Sequence, residues 1–222
     1  MKRRFITILI PVISLLTSCM RNELRSDIIQ FIASFSIDLA VQNYLEAGYK
    51  RVDISEESGV ISKVITEMSM SRKNDDNLAY DFSKITMEGE EIKSSLHRYV
   101  EKNNEKYFYV SEDGKIEKTV EQVKALTLEF FYTSSIDGIY TGAMFMGDTF
   151  REILPDIQDL VTIDSENKLL VYSYVNHMTE DEKEVTITQT ISLDEYGMLV
   201  KDDLEKTSDL GKFETHIEVK KA

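Results

Sequence analysis

Apolar and polar side chains alternate along much of this chain. The clearest two-residue period runs from Val185 to Leu193, where Ile187 and Ile191 are separated by threonines and a glutamine. Such alternation is typical of a strand with one face in the core and one face in water. The same kind of pattern predicts strands over residues 60–72, 78–88, 92–102, 105–111, 185–193, 198–206 and 213–219.

Short turn sequences separate several of these strands. Asn103-Asn104 tolerates the positive φ of a tight hairpin, and Asp113-Gly114 marks a further turn. Residues 194–197, which end in a glycine, connect the strand at 185–193 to the next one. Strands joined one after another by hairpins predict an antiparallel sheet.

The region from Leu24 to Leu45 has helical spacing instead. Asn22 or Ser26 can cap this helix, and Gly48 can end it. Its polar residues form a narrow stripe, namely Gln30, Ser34, Asp38 and Gln42. Because most of the helix surface is apolar, two placements fit: burial in the concavity of a sheet, which we favour, or partial contact with a membrane.

Two further helices are predicted between the strands. Thr119 and Gln122 form a Thr-x-x-Gln capping pattern at the start of the first. Asp148 can cap the second, and Pro155 is expected to stop it.

A glycine-rich apolar segment over residues 138–147 precedes the second of these helices. It holds three of the nine glycines, which lower the cost of backbone change, and two methionines, which repack easily. It could be a mobile flap over an apolar cavity or part of a packed core, and packing is the more common role of such a cluster. If a cavity exists, the residues expected to line it are Phe31, Phe35, Tyr140, Met144, Phe145, Met146 and Phe150.

The first 19 residues resemble a bacterial lipoprotein export signal. Three basic residues at positions 2–4 precede an apolar or small run from Phe5 to Thr17, which is too short to span a bilayer as a helix. Leu16-Thr17-Ser18-Cys19 resembles the lipobox, and Cys19 is the single cysteine. The resemblance implies cleavage before Cys19 and a diacylglycerol with palmitate-type chains on its sulfur. An ordinary signal or an uncleaved anchor is the alternative.

This interpretation divides the chain into a signal peptide (1–18), a lipidated N-terminus with a short tether (19–23) and one domain (24–222). The protein would be exported and anchored to the cell membrane, or to the outer membrane in a Gram-negative host. Without the signal, 23 basic residues face 40 acidic ones, a net charge of −17. Nucleic acid is therefore an unsuitable partner, and anionic lipid would repel the domain, so attachment depends on the acyl chains.

Local signatures of catalysis are absent from the sequence. It contains no Gly-x-Ser-x-Gly elbow, no phosphate-binding glycine loop and no His-Glu-x-x-His pair. The three histidines, His97, His177 and His216, lie far apart. With Cys19 acylated, no thiol remains for a disulfide or a metal site. We expect a non-enzymatic protein with no cofactor and no metal.

The order of these elements resembles the half-barrel lipoprotein-carrier superfamily of lipid-binding lipoproteins. The shared features are a lipobox, a helix directly after it, antiparallel strands interrupted by helices, and an Asp-x-x-Gly-x-Leu turn at Asp194, Gly197 and Leu199. The resemblance implies an α+β fold in which a strongly curved antiparallel sheet, a half-barrel, packs against an N-terminal helix and two inserted helices. It also implies that the concave face accepts acyl chains.

Two functions follow as hypotheses. The first is an envelope lipoprotein that binds or transfers a hydrophobic lipid or acyl ligand, with the helices and residues 138–150 as a gate. The second is a structural or protein-binding surface lipoprotein with a fully packed core and an envelope protein as its partner. A hydrolase of envelope material is a weaker third possibility, which would need titratable groups that converge in a cleft.

Overall fold

The structure is a computed structural model that describes residues 25–57, 59–128, 130–131, 135–136, 139–140, 145–180, 183–209 and 211–221. The helices are α1 (Ser26–Ile32), α2 (Ile37–Asn43), α3 (Val120–Leu128) and α4 (Gly147–Ile157). The strands are β1 (Glu46–Glu57), β2 (Val60–Arg72), β3 (Leu78–Glu88), β4 (Glu91–Asn103), β5 (Lys106–Ser111), β6 (Gly114–Lys118), β7 (Ser135–Ile136), β8 (Ile139–Tyr140), β9 (Val161–Asp164), β10 (Leu169–Glu180), β11 (Lys183–Leu193), β12 (Leu199–Ser208) and β13 (Gly211–Lys221).

Eleven of these strands form one antiparallel sheet. Their order is β6-β5-β4-β3-β2-β1-β13-β12-β11-β10-β9, while β7 and β8 pair only with each other. The pairing of β1 with β13, in which Tyr49 lies opposite Val219, joins the two ends of the domain. The sheet is open, with β6 at one edge and β9 at the other. The predicted α+β class with a large antiparallel sheet is confirmed.

Several local predictions are also confirmed. β2 spans Val60–Arg72, the predicted range. Asn104 has a φ of +57° in the turn between β4 and β5. At the start of α3, Thr119 Oγ1 accepts a hydrogen bond from the Gln122 amide at 3.2 Å, and Gln122 Oε1 accepts one from the Thr119 amide at 3.0 Å. These features depend on residues close together in the chain, which is why the sequence predicts them well.

The single N-terminal helix predicted over 24–47 is wrong, because the chain forms two short helices there. α1 ends at Ile32, and the side chain of Ser36 accepts a hydrogen bond from the Leu39 amide to cap α2. The backbone between the two helices turns, and Phe35 is buried within the turn. A side chain that bonds to the backbone can compete with helix continuation, which explains the break.

Gly48 does not end a helix, because it lies inside β1. Neither β1 nor β10 was predicted. In β1, Tyr49 is buried on one face while Val52 on the other face is partly buried. In β10, buried Tyr172 alternates with partly buried Val171. Strands with apolar side chains on both faces lack the two-residue period that reveals a half-buried strand.

The prediction for α4 needs two corrections. Met146 occupies the N-cap position without a side-chain cap, and Asp148 lies in the first turn instead. Pro155 does not stop the helix, which continues to Ile157 and then into a short 3₁₀ turn. Because proline lacks an N–H, this end of the helix loses one backbone hydrogen bond without ending.

The main core connects all parts of the domain. Its buried members on the strands, such as Tyr49, Met68 and Ile217, share one face of the sheet, which we call the inner face. The same cluster contains residues of α1, α2 and α4, so these helices pack on that face. A small separate cluster joins Val123 of α3 to Leu78 and Tyr107.

Candidate functional site

The helices pack on one half of the inner face, here called the helix half. It comprises the inner-face strand positions of the core cluster together with the residues that pack on them, and its largest fully buried side chains include Tyr80, Phe82, Phe130, Phe131, Phe150, Leu154, Leu170, Ile191 and Leu193. Aromatic edge contacts run through this region, for example between Phe150 and Tyr172 at 5.9 Å between ring centroids. The helix half is therefore closely packed among the described residues.

The predicted ligand-lining residues lie mainly in this helix half. Phe35 is 3% exposed and Phe150 is 1% exposed, and both belong to the core cluster. Three others, Phe31, Phe145 and Met146, are partly buried against the same cluster. Tyr140 belongs to β8, but its side chain and the whole of Met144 lie outside the described residues. The structure thus brings five of the seven residues together around one core, and their contact with a ligand stays a prediction.

Two glycines, Gly147 and Gly197, allow the start of α4 to pack closely against the β11–β12 turn. A Cβ atom on Gly197, whose φ is +85°, would lie 2.9 Å from the Cα of Gly147 and 3.0 Å from Cγ of Phe35. The backbone amide of Met146 also donates to the carbonyl of Gly197 at 2.9 Å. The start of α4 can approach the β11–β12 turn this closely only because neither glycine carries a side chain.

Asp194 holds the same turn in place. Its carboxylate accepts hydrogen bonds from the amides of Tyr196 and Met198, each at 2.9 Å, and from the Tyr44 hydroxyl at 2.7 Å. Burial raises the pKa of Asp194, although these hydrogen bonds act in the opposite direction. The Asp-x-x-Gly-x-Leu turn noted in the sequence is therefore a structural anchor between α2 and the sheet.

The other half of the inner face is different in character. We call it the hairpin half because it runs toward the β1–β2 and β12–β13 turns. Strand register places its residues in two rows across six strands: Val64, Asp53, Thr215, Leu204, Gln189 and Tyr174, then Ser62, Ser55, Phe213, Lys206, Ile187 and Asn176. None of the twelve is a buried member of the core cluster, but Ile187 and Thr215 are buried outside it and the other ten are partly buried.

An ion pair lies at the boundary between the two halves. Arg51 Nε donates to both carboxylate oxygens of Asp53 at 2.9 Å, and Thr215 Oγ1 donates to Asp53 Oδ1 at 2.8 Å. The two charged side chains are only 23% and 21% exposed. Burial lowers the pKa of Arg51, but Asp53 and the neighbouring Tyr49 raise it more, so the guanidinium stays charged. The pair is thus a fixed, charged polar group on this face of the sheet.

A second polar chain crosses the neighbouring strands. Tyr174 Oη donates to Gln189 Oε1 at 3.0 Å, and Gln189 Nε2 donates to Asp202 Oδ1 at 2.9 Å. Burial raises the pKa of Asp202, while the hydrogen bond from Gln189 and the charge of Arg51 lower it by less. An acid kept in a position that disfavours its charge is typical of a functional site, although structural networks do the same.

Apolar side chains lie on the same face as these polar groups. Leu204 and Phe213 are partly buried, Ile187 is 4% exposed and Met178 is 37% exposed. A surface with aliphatic side chains next to a few fixed polar groups can bind a molecule that has an apolar part and a polar part. Within the described residues, no group of three histidine, cysteine or acidic side chains could hold a metal ion.

Sequence analysis did not identify this polar network. A signal was present, because Arg51 and Asp53 follow Tyr49 at two-residue spacing and must share its face in a strand. That signal becomes useful only when β1 is recognised as a strand. Gln189 and Asp202 come together through the register of β11 with β12, which the sequence does not define.

Replacement of Asp202 by asparagine is expected to raise the melting temperature at pH 7 by about 2 °C. Asparagine keeps an oxygen for Gln189 and removes the buried charge. Since the folded-state pKa of Asp202 is raised above its ordinary 3.8, stability falls as pH rises through that window, and the gain from D202N should vanish below pH 3.8. Thermal unfolding followed by circular dichroism across this pH range measures the effect.

The neighbouring Asp203→Asn variant is the matched control. Although partial burial acts against it, ion pairs with Lys201 and His216 lower the pKa of Asp203. Its loss should therefore reduce stability at pH 7. A D202N protein that is less stable than the parent at pH 7 would contradict the proposed burial cost.

Comparisons with known proteins define the fold no further. No family model matches this chain. No curated protein matches it either. A beta-barrel-like protein of domain of unknown function DUF1849 from Brucella abortus is similar at 8% identity, covering 80% of this chain and 98% of its own, with a TM-score of 0.22. A DUF1329 family protein from Desulfovibrio piger is similar at 8% identity, with 83% and 89% coverage and a TM-score of 0.22.

These scores are too low to support an argument about function. The class established by the described residues is an α+β protein with an open, eleven-stranded antiparallel sheet. None of the described helices is both long and apolar enough to cross a membrane. Cys19 and the residues before it lie outside the described residues.

Proposed function

We propose that this protein is a non-enzymatic envelope lipoprotein that binds a hydrophobic lipid or acyl ligand on the hairpin half of its inner face. The observation that carries the proposal is the division of that face. The described helices pack on one half, while the other half combines partly buried apolar side chains with a hydrogen-bonded polar network.

The ligand would lie with its apolar part on Leu204, Phe213 and Met178. Leu204 and Phe213 lie on the adjacent strands β12 and β13, and Met178 lies on the same face of β10, on the far side of β11. Its polar end would reach the Arg51–Asp53 pair, where the guanidinium is charged and only partly exposed. The half-barrel curvature implied by the resemblance would turn this half into a cleft.

The anchor belongs to the same proposal. A diacylglycerol on Cys19 would hold the domain at the membrane, because two acyl chains give stable attachment where a single chain does not. α1 begins at Ser26, only seven residues after Cys19. A tether of this length would keep the domain close to the lipid from which its ligand comes.

The test uses residues 20–222, which include every residue of the described core, purified without detergent. We expect native mass spectrometry to find a co-purifying lipid and fluorescence titration to show uptake of an acylated probe. Leu204→Gln should weaken probe binding about ten-fold, since it removes one aliphatic contact of roughly 1.5 kcal/mol.

Ile54→Gln is the control for that variant. Ile54 is also a partly buried aliphatic residue of the sheet, but it lies on the opposite face. Its substitution should leave probe affinity unchanged. Absence of both lipid and probe binding in the parent protein would refute the proposal.

The second hypothesis, a structural or protein-binding lipoprotein, has one observation in its favour. The helix half is closely packed, with Phe35 and Phe150 almost completely buried. It predicts that a pull-down with the lipidated protein recovers a specific envelope protein while no lipid co-purifies. The two hypotheses thus differ in the outcome of the lipid measurement.

A further inference from the structure

One edge of the sheet is unpaired along most of its length. β9 pairs with β10 only from Leu169 to Tyr172, and β9 is the last strand on that side. Residues 173–180 of β10 therefore have a strand neighbour on one side only among the described parts of the chain. Alternate residues of this segment direct backbone N–H and C=O groups outward, where a further strand could pair with them.

This edge lacks the usual protection against strand pairing. Residues 173–179 contain no lysine, no proline and no acidic residue. Val175 is 61% exposed and Met178 is 37% exposed. The ladder between β10 and β11 is also regular, with no bulge to twist the edge away.

On the opposite side of the sheet, charged side chains protect an exposed strand edge against pairing. β4 pairs with β5 only from Tyr99 to Asn103, which leaves the start of β4 with one strand neighbour. That start carries Lys93, whose ammonium lies 2.6 Å from Glu91 and 3.6 Å from Glu88. Charged groups along an edge oppose the approach of another strand. The β10 edge has no equivalent.

We propose that residues 173–179 pair with the same segment of a second copy of this chain, in antiparallel orientation. This inference stands independently of the proposed function. A two-fold axis perpendicular to the sheet keeps both inner faces on the same side, so each residue must lie opposite one that shares its face. With the axis beside Asn176, Tyr174 lies opposite Met178 of the second copy and Val175 lies opposite His177.

Charge selects this register within the length that the edge allows. A partner strand cannot extend beyond Tyr172, where β9 begins, and it ends at the β10–β11 turn after Glu180. Seven residues centred on Asn176 fill that space, and the partner's Glu180, which would fall opposite Tyr172, must turn away from β9. The pairs contain no charged residue, so the net charge of −17 on residues 20–222 does not put like charges opposite one another. A register centred on His177 would instead place Glu180 opposite Tyr174.

The surroundings of the edge fit a copy of the same surface. On the outer face, Ser173 and His177 contact Thr190 and Thr186 at 3.1 Å, which makes a neutral region in an acidic protein. An unrelated basic partner could form no ion pair with residues 173–179, because they contain no acidic group. A second copy brings an equally neutral strand of equal length, and the joined sheet places the two hairpin halves side by side.

Single cysteines test the register directly. Residues 20–222 contain no cysteine, so Asn176→Cys introduces one thiol that would face its own copy across the axis. Under mild oxidation we expect this variant to form a disulfide-linked dimer at least about ten-fold faster than Ser94→Cys, which places a thiol on the β4 edge. Equal rates, or faster cross-linking through position 94, would overturn the proposal.

Sedimentation measures the association without a cross-link. The parent should show a monomer–dimer equilibrium between about 1 and 100 µM, as expected for a small interface. Val175→Lys should raise the dissociation constant at least about ten-fold, because lysine protects an edge. Val60→Lys, a similarly exposed valine in β2, should not change it. A parent that stays monomeric, or a dimer unaffected by V175K, would refute strand pairing.

Discussion

Replacement of Gly197 by alanine is expected to lower the free energy of unfolding by about 3 kcal/mol. Two costs add at this position. The residue has a φ of +85°, which side chains other than glycine rarely adopt, and the new Cβ would lie 2.9 Å from the backbone of Gly147. The α4 start and the β11–β12 turn would have to separate, which would disturb Phe35 and Phe145. Urea unfolding followed by far-ultraviolet circular dichroism measures the change.

Gly59→Ala is the control that separates these two costs. Gly59 has a similar φ of +78°, but a Cβ atom there would have nothing within 4 Å. It should cost only the backbone strain, about 1 kcal/mol. Equal losses in the two variants would show that the close approach between Gly197 and Gly147 contributes nothing to stability.

Cys19→Ala is expected to abolish acylation of the protein completely. The sulfur of Cys19 is the single thiol of the chain and the proposed acceptor of the diacylglycerol, so no other side chain can replace it. Growth with labelled palmitate, followed by immunoprecipitation, should show label in the parent and only background in the variant. Intact mass should also show that the parent loses residues 1–18 and the variant does not.

Met20→Ala is the control for this experiment. It changes the residue next to the acceptor and should keep both the label and the cleavage. An unlabelled parent, or a C19A variant that keeps its label, would refute the lipoprotein assignment. The ligand hypothesis would then lose its membrane context, while the geometry of the hairpin half would be unaffected.

Local sequence signals predicted local structure well. The capping pattern of Thr119 with Gln122 and the turn at Asn104 involve residues within four positions of each other, and both are confirmed. β2 has one buried and one wetter face, so its alternation alone defined its range. In each case the physical cause acts within a few residues of the chain.

Prediction failed where tertiary contacts supply the energy. β1 and β10 have apolar side chains on both faces, so neither shows the two-residue period of a half-buried strand. The helix predicted over 24–47 divides at residues 33–36, where Phe35 enters the core and Arg151 donates to the carbonyls of Ile32 and Phe35. Contacts with α4, more than a hundred residues away, therefore favour the break, and helical spacing alone cannot show it.

The candidate site shows the same division. The lipobox-like sequence at residues 16–19, the excess of acidic residues, the antiparallel class and many of the hairpins follow from the sequence by itself, because they depend on composition and short-range pattern. The hydrogen bonds of the polar network required the register of the strands. They join Asp53 to Arg51 and Thr215, and Gln189 to Asp202 and Tyr174. Only tertiary structure decided which half of the inner face the helices cover and which edge of β10 stays unpaired. Both depend on contacts between residues far apart in the chain, whose pairing no local pattern specifies.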